Sequence, residues 1–191
     1  MTYDPITYWR ERGETYMAKF RPERYAEQEA ALEEFLRPLE FQSVLEVGCG
    51  FGRIASLIRR VNPKASYTGL DLSLTMIAAA HDRLGADAEL VDSALGDFKP
   101  KSRTWDLVIA VEVLMHVPPE GVVKAVRKLD RLAVAHIVTL DWATPLPRKR
   151  TAEHNFLHDY PALLGKGPFG RAREVEIVPI GVQAIHHVAK A

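Results

Sequence analysis

The sequence predicts an α/β fold: a doubly wound, mostly parallel sheet of seven strands, closed by an antiparallel hairpin at its C-terminal end. Three observations carry that prediction. Between Phe41 and Trp142, short apolar runs alternate with stretches of helical period, the order a parallel sheet with helices on both faces requires. The run TWDLVIAV is almost unbroken in apolar residues, as a strand covered on both faces must be. The chain of 191 residues, 47% hydrophobic and 26% charged, suits one domain with a single continuous core.

Taken in order, Asp4 caps a first helix that opens on Pro5 and that Gly13 is expected to interrupt. A second helix is expected from Pro22, with Tyr25, Leu32, Phe35, Leu36 and Leu39 on one side and Glu23, Glu27, Glu33 and Glu34 in water. VLEVG is the first strand. In FGRIASLIRRV, Ile54, Leu57, Ile58 and Val61 fall at i, i+3, i+4 and i+7, and Pro63 stops the helix. SYTGLD is a strand ending at Asp71, and SLTMIAAAHDRLG a helix between Ser73 as N-cap and Gly85 as stop. AELVD and TWDLVIAV are strands three and four. Pro118-Pro119 opens a helix through Val122, Val123, Val126 and Leu129, and AVAHIVTLDW is a fifth, buried strand. After a loop rich in Pro and Arg (144–151), a short helix falls near DYPALLG. REVEIVPI and GVQAIHHVAKA, separated by Pro179 to Gly181, form the closing hairpin.

Charge and cysteine content restrict the partners. Lys plus Arg and Asp plus Glu are 25 each, which excludes the basic footprint of a dedicated nucleic-acid binder. The single cysteine, Cys49, cannot form an intramolecular disulfide. The N-terminus is charged where a secretion signal is apolar, and no apolar run approaches the roughly 18 residues of a membrane span. The expectation is a soluble cytoplasmic protein, monomer or homodimer, acting on neither nucleic acid nor membrane.

The chemistry-bearing residues cluster at strand ends, where open parallel sheets bind ligands. Strand one leads into Glu46-Val47-Gly48-Cys49-Gly50-Phe51-Gly52, a turn that brings backbone close to a ligand and opens on free helix N–H groups. It departs from the dinucleotide fingerprint, because Arg53 stands where that pattern needs a small residue. Glu46 would repel a pyrophosphate and suits a cation. Asp71 can accept hydrogen bonds from a ribose, Asp92-Ser93 can meet a base, and Val111-Glu112-Val113 with His116 end strand four. Together they describe a cleft for a nucleoside with a positively charged tail.

On VLEVGCGFG, YTGLDLS, LVDS and WDLVIAVEVLMHVPPE, in this order and spacing, the chain resembles the class I S-adenosylmethionine-dependent methyltransferases, small-molecule branch. The resemblance runs from about Leu39 to Ala191 and implies a Rossmann-like core over 39–191 under an N-terminal helical lid over 1–38. It implies S-adenosyl-L-methionine as cofactor. Glu46, Gly48 and Gly50 would then face its methionine portion, with Cys49 between the two glycines and Gly52 and Arg53 closing the loop. Asp71 would hold the ribose, Leu72 and Met76 flank the adenine, Asp92 and Ser93 reach its edge, and Val111, Glu112, Val113 and His116 lie at the fourth strand end beside the sulfonium. Tyr8, Arg12 or Tyr16 would touch the cofactor carboxylate. The acceptor would be a small molecule, with oxygen ranked ahead of nitrogen and carbon. His116 and His154 are the candidate bases, since both follow strand ends facing the methyl group. Aminopropyl transfer on the same fold, or a non-catalytic cofactor-binding module, are the alternatives.

Several features have simpler readings. Cys49 is a packing residue. His154 and His158, four apart beside Asp159, would share a helix face and could hold a metal, but satisfied histidines are the better expectation and no metal is assigned. One of His186 and His187 should face the core and the other solvent or a helix. Arg148-Lys149-Arg150 is a solvated loop or an attractor for an anionic acceptor, and Trp142 is placed to wall an acceptor pocket. Val111-Glu112-Val113-Leu114 replaces the Asn-Pro-Pro-Tyr type of sequence, so the resemblance does not extend to amino-group methyltransferases of DNA.

Overall fold

The computed structural model describes residues 3–101, 103–143, 152–167 and 171–190. Seven strands form one sheet: β1 (Ser43–Val47), β2 (Ser66–Asp71), β3 (Ala88–Asp92), β4 (Trp105–Val111), β5 (Ala133–Trp142), β6 (Glu176–Ile180) and β7 (Gln183–Ala189), in the order β3-β2-β1-β4-β5-β7-β6. The first five are mutually parallel, with Val44 opposite both Tyr67 and Leu107. β7 lies antiparallel between β5 and β6. Strand order reverses between β1 and β4, the switch point at which such sheets bind ligands.

Alternation along the central strands sends residues to two cores. Val44, Leu107 and Ile109 pack with Leu32 and Leu36 of α2 (Ala26–Leu36), with Ile54, Leu57 and Ile58 of α3 (Arg53–Val61), and with Ile77 and Leu84 of α4 (Leu74–Leu84). Leu45, Val47, Val108 and Ala110 face Val122, Val126 and Leu129 of α5 (Pro119–Leu132) and Tyr160 and Leu164 of α6 (Tyr160–Leu164). The connection from β3 to β4 carries no described helix, and Phe98 joins that second core instead. No helix among the described residues is long and apolar enough to cross a membrane.

Most element boundaries follow the sequence reading, including the Asp4 and Ser73 caps, whose side chains accept from Thr7 N–H and Met76 N–H. Three details differ. Gly13 does not interrupt the first helix: α1 runs unbroken from Pro5 to Lys19. A Cβ at Gly13 would stand 2.3 Å from Ser73 Oγ, so the glycine admits the N-terminus of α4 against α1. The second helix opens as a 3₁₀ turn, Pro22–Arg24, and becomes α-helical only from Ala26. β6 continues through Pro179 to Ile180, leaving Gly181 (φ 57°) and Val182 as the turn; an edge strand tolerates the missing donor of proline. The histidines of the last strand fall as expected, one toward the core and one toward a helix. His186 lies against the Tyr160 ring and His187 against Phe35, where it bonds His136 and Glu176.

Candidate active site

A cavity of about 700 Å³ opens at the carboxyl ends of β1, β2, β3 and β4, with α1 as one wall. It is lined by Tyr16, Glu46, Gly48, Cys49, Gly50, Arg53, Asp71, Leu72, Met76, Ser93, Val111, Glu112, Val113, His116 and His154, nearly all the residues the sequence singled out. Gly52 and Asp92 stand apart. Gly52 is the N-cap of α3 (φ 82°) and packs under Leu84, and Asp92 is exposed at its strand end.

The glycine turn is built for close approach. Gly48 holds φ 72°, and a Cβ there would meet Val113 Cγ2 at 2.5 Å; Gly50 holds φ 54° with no atom within 4 Å of its Cβ position. Such angles are strained for any residue but glycine. The N–H groups of Gly48 and Cys49 both donate to Leu70 O, at 2.7 and 2.9 Å. Asp71 completes the turn, its Oδ2 accepting Gly50 N–H at 2.8 Å and its Oδ1 accepting Ser73 N–H at 2.9 Å. Each oxygen keeps a second lone pair for a ligand hydroxyl. Burial raises the Asp71 pKa despite these bonds. Burial also pushes the Cys49 thiol up, and the sulfur lies 2.9 Å from where a Gly69 Cβ would stand, both in keeping with a packing role.

Glu46 is the electrostatic centre of the cavity. It is 1% exposed, and the Tyr67 hydroxyl donates to its Oε2 at 2.6 Å. Burial lifts its pKa to about 8, more than the Tyr67 bond and the Arg53 charge lower it. A buried carboxyl that ionises reluctantly beside a ligand cavity favours a cationic ligand, which would supply the missing counter-charge.

At the other end, a 3₁₀ turn (Leu114–His116) presents His116. Its Nδ1 lies 3.0 Å from the His154 carbonyl. A carbonyl only accepts, so Nδ1 carries the proton and Nε2 is left as an acceptor. Burial lowers the His116 pKa to about 4, so the ring is neutral at physiological pH. Trp9 covers it at 4.6 Å between centroids. His154 stacks on Tyr8 at 4.8 Å, with its Nδ1 3.1 Å from the Tyr8 hydroxyl, and the Arg12 guanidinium lies over the other side of the same cluster, 4.7 Å from the Tyr8 ring centre.

The structure also corrects the sequence reading around this end. Trp142 does not wall the cavity; its indole N–H donates to Met115 Sδ at 3.1 Å. His154 and His158 do not share a helix face, because 155–159 is not helical, and His158 Nε2 lies 2.9 Å from the Val117 carbonyl. No group of three or more metal-ligating side chains occurs among the described residues. Arg148-Lys149-Arg150 lies outside the described residues. Asp141, which sequence reasoning missed, is fully buried and accepts Met115 N–H at 3.1 Å, holding the turn that carries His116. Its only sequence signal is an acid at the end of an otherwise apolar strand.

A glycine cradle open to the cavity, a carboxylate at the end of β2 and a buried acid awaiting a cation fit a nucleoside sulfonium. Comparison with known proteins agrees. Residues 44–135 match a methyltransferase domain family. The trans-aconitate 2-methyltransferase of Afipia carboxidovorans is 28% identical over 183 residues, covering 85% of this chain and 70% of that protein. The enzyme of the same name from Mycobacterium tuberculosis is 40% identical over 90 residues, but the match spans only 33% of its length. Among solved structures, DhpI in complex with SAH superposes with a TM-score of 0.72 at 22% identity, covering 97% of this chain and 94% of that one. Fold and site define a doubly wound nucleoside-binding enzyme. Residues 44–135 carry a methyltransferase domain, and together with the longer relative they support a class I S-adenosylmethionine-dependent methyltransferase with S-adenosyl-L-methionine as cofactor.

Proposed function

We propose that the protein methylates a carboxylate oxygen of a small organic acid, with residues 1–38 closing as a lid over a core of 39–191. The observation that carries this reading is the burial of His116 under Trp9, with its Nδ1 committed to the His154 carbonyl. A carboxylate is already a nucleophile at neutral pH and needs no base. A hydroxyl acceptor needs one, and a histidine whose pKa is lowered to about 4 is a weak base for it. The two curated relatives, which carry trans-aconitate in their names, support the same class of acceptor.

The bound cofactor supplies an activated methyl group, and the chain supplies alignment and exclusion of water. Gly48 and Gly50 would face the methionine portion, Asp71 would hold the ribose, Leu72, Met76 and Ser93 the base, and Glu46 would answer the positive charge. Arg12, exposed on the cavity-facing side of α1, would attract the acceptor carboxylates. Trp9 would offer a flat face to a planar acid. His116 Nε2 would accept a hydrogen bond from a protonated carboxyl or hydroxyl of the acceptor and so fix which oxygen meets the methyl group, and His154 would hold the His116 ring through its carbonyl. Aminopropyl transfer is disfavoured: among the described lining residues past β4 the one acid, Glu112, is paired with Arg53, and Lys124, Lys128 and Arg131 would repel a polyamine.

The test is a panel of acceptors scored by S-adenosylhomocysteine release. Turnover with di- and tricarboxylates, with KM raised at least about tenfold in Arg12→Gln by loss of a charge-assisted contact, is expected. Turnover confined to phenols or amines would refute the proposal.

A further inference from the structure

Behind the cavity wall, a closed circuit of side chains joins four elements. Arg53 Nη1 donates to Gln28 Oε1 at 2.9 Å, Gln28 Nε2 donates to Gln183 Oε1 at 3.0 Å, and Gln183 Nε2 donates to Glu112 Oε1 at 2.9 Å. Glu112 Oε2 lies 3.6 Å from Arg53 Nη2 and closes the ring. The members come from α2, α3, the end of β4 and the start of β7.

The circuit has one direction. The three hydrogen bonds run one way, from Arg53 through the two amides to Glu112, so each polarises the next in the same sense. Neither amide can flip, because a flip of either one would set N–H against N–H on one side and oxygen against oxygen on the other. Gln28 is only 5% exposed, so its loss would leave buried groups unpaired.

The ring fixes two charges that face the cavity. Glu112 holds φ 57°, a conformation a non-glycine residue keeps only when its surroundings over-determine it. Arg53 is held further by Glu29 at 3.2 Å and by the Tyr25 ring, 4.5 Å below the guanidinium. Tyr25 in turn lies 3.1 Å, hydroxyl to hydroxyl, from Tyr16. A cation and an anion side by side, both lining the cavity, complement a ligand that carries an ammonium and a carboxylate on one carbon.

We propose that Gln28 and Gln183 are positioning residues that hold Arg53 and Glu112 as a receptor for the amino-acid end of the cofactor. This rests on the cavity being the cofactor site. The Arg53 guanidinium takes the carboxylate and Glu112 takes the ammonium, while the amides hold both side chains in place at the cavity wall when the ligand enters. The nucleoside end, which Asp71, Leu72 and Met76 would hold, lies outside the circuit.

Calorimetric titration with two probes separates the ends: S-adenosylhomocysteine, and 5′-methylthioadenosine, which keeps the nucleoside and sulfur but lacks the amino-acid end. In Gln183→Met and Gln28→Met the dissociation constant for S-adenosylhomocysteine is expected to rise about tenfold, the effect of one lost hydrogen bond to a charged group. That for 5′-methylthioadenosine should stay within about twofold. Glu112→Gln, which keeps the side-chain shape and loses the charge, should show the same split if either glutamine variant fails to fold. Equal weakening of both probes, or no weakening for S-adenosylhomocysteine, would overturn the positioning role. A wild-type protein that binds neither probe would overturn the cofactor assignment, and the receptor with it.

Discussion

Replacing Glu46 by glutamine tests the electrostatics of the cavity through the stability of the ligand-free protein. In the folded chain Glu46 ionises near pH 8, against a reference value of 4.5. The unfolded chain therefore loses this proton through pH 4.5 and the folded chain only through about pH 8. Unfolding releases a proton between those limits, so stability is complete below pH 4.5 and is lost as pH rises. At about 1.4 kcal/mol for each pH interval of one, the loss is about 3 kcal/mol by pH 7 and approaches about 5 kcal/mol above pH 8. Glu46→Gln keeps an acceptor for the Tyr67 hydroxyl and removes the titration. Between pH 5 and pH 8 the Tm of the ligand-free wild type should fall more steeply than that of the variant, by on the order of 10 °C for a domain of this size. Differential scanning calorimetry at a series of pH values makes the comparison. Parallel curves would refute the argument that burial, rather than a charge partner, governs this carboxyl.

The same carboxyl predicts that binding of the sulfonium cofactor at pH 7 releases close to one proton, seen as a dependence of binding enthalpy on buffer ionisation, and that Glu46→Gln abolishes the release. Gly48→Ala must place a Cβ 2.5 Å from Val113 Cγ2 at φ 72°; it should cost about 2–3 kcal/mol in denaturant unfolding and remove cofactor binding, whereas Gly50→Ala, with open space around it, should cost about 1 kcal/mol. Because His116 is lowered to about 4, kcat/KM should show no histidine-like rise between pH 5.5 and 7.5, and His116→Asn should retain turnover to within about a hundredfold by loss of orientation alone. A rise with an apparent pKa near 6.5 would show instead that an imidazole serves as base.

The sheet was legible because its signals are local. β2, β3 and β5 begin and end where SYTGLD, AELVD and AVAHIVTLDW do, each bounded by a change of hydrophobic period that needs no knowledge of a partner. The cavity wall at the first two strand ends was legible for a similar reason, since Glu46 to Phe51 and Asp71 each fall within one strand-to-helix turn. What escaped was what depends on distant partners. Gly13 reads as a helix breaker until Ser73 is seen against it, 60 positions away. The spacing of His154 and His158 means one face only in a helix, and that segment does not form one. Gln28 and Gln183 bond across 155 positions, and glutamine on a helix or strand gives no sign that both ends of its amide are committed.

The central claim is that a small acid is esterified in this cavity. It is tested most directly by incubating the protein with S-adenosyl-L-methionine and trans-aconitate or a related carboxylate and identifying the product by mass spectrometry before and after mild alkali. The account predicts one added methyl group per acceptor, released as methanol by base with recovery of the free acid. A methylated product that survives alkali, as an ether or an N-methyl compound does, would contradict it.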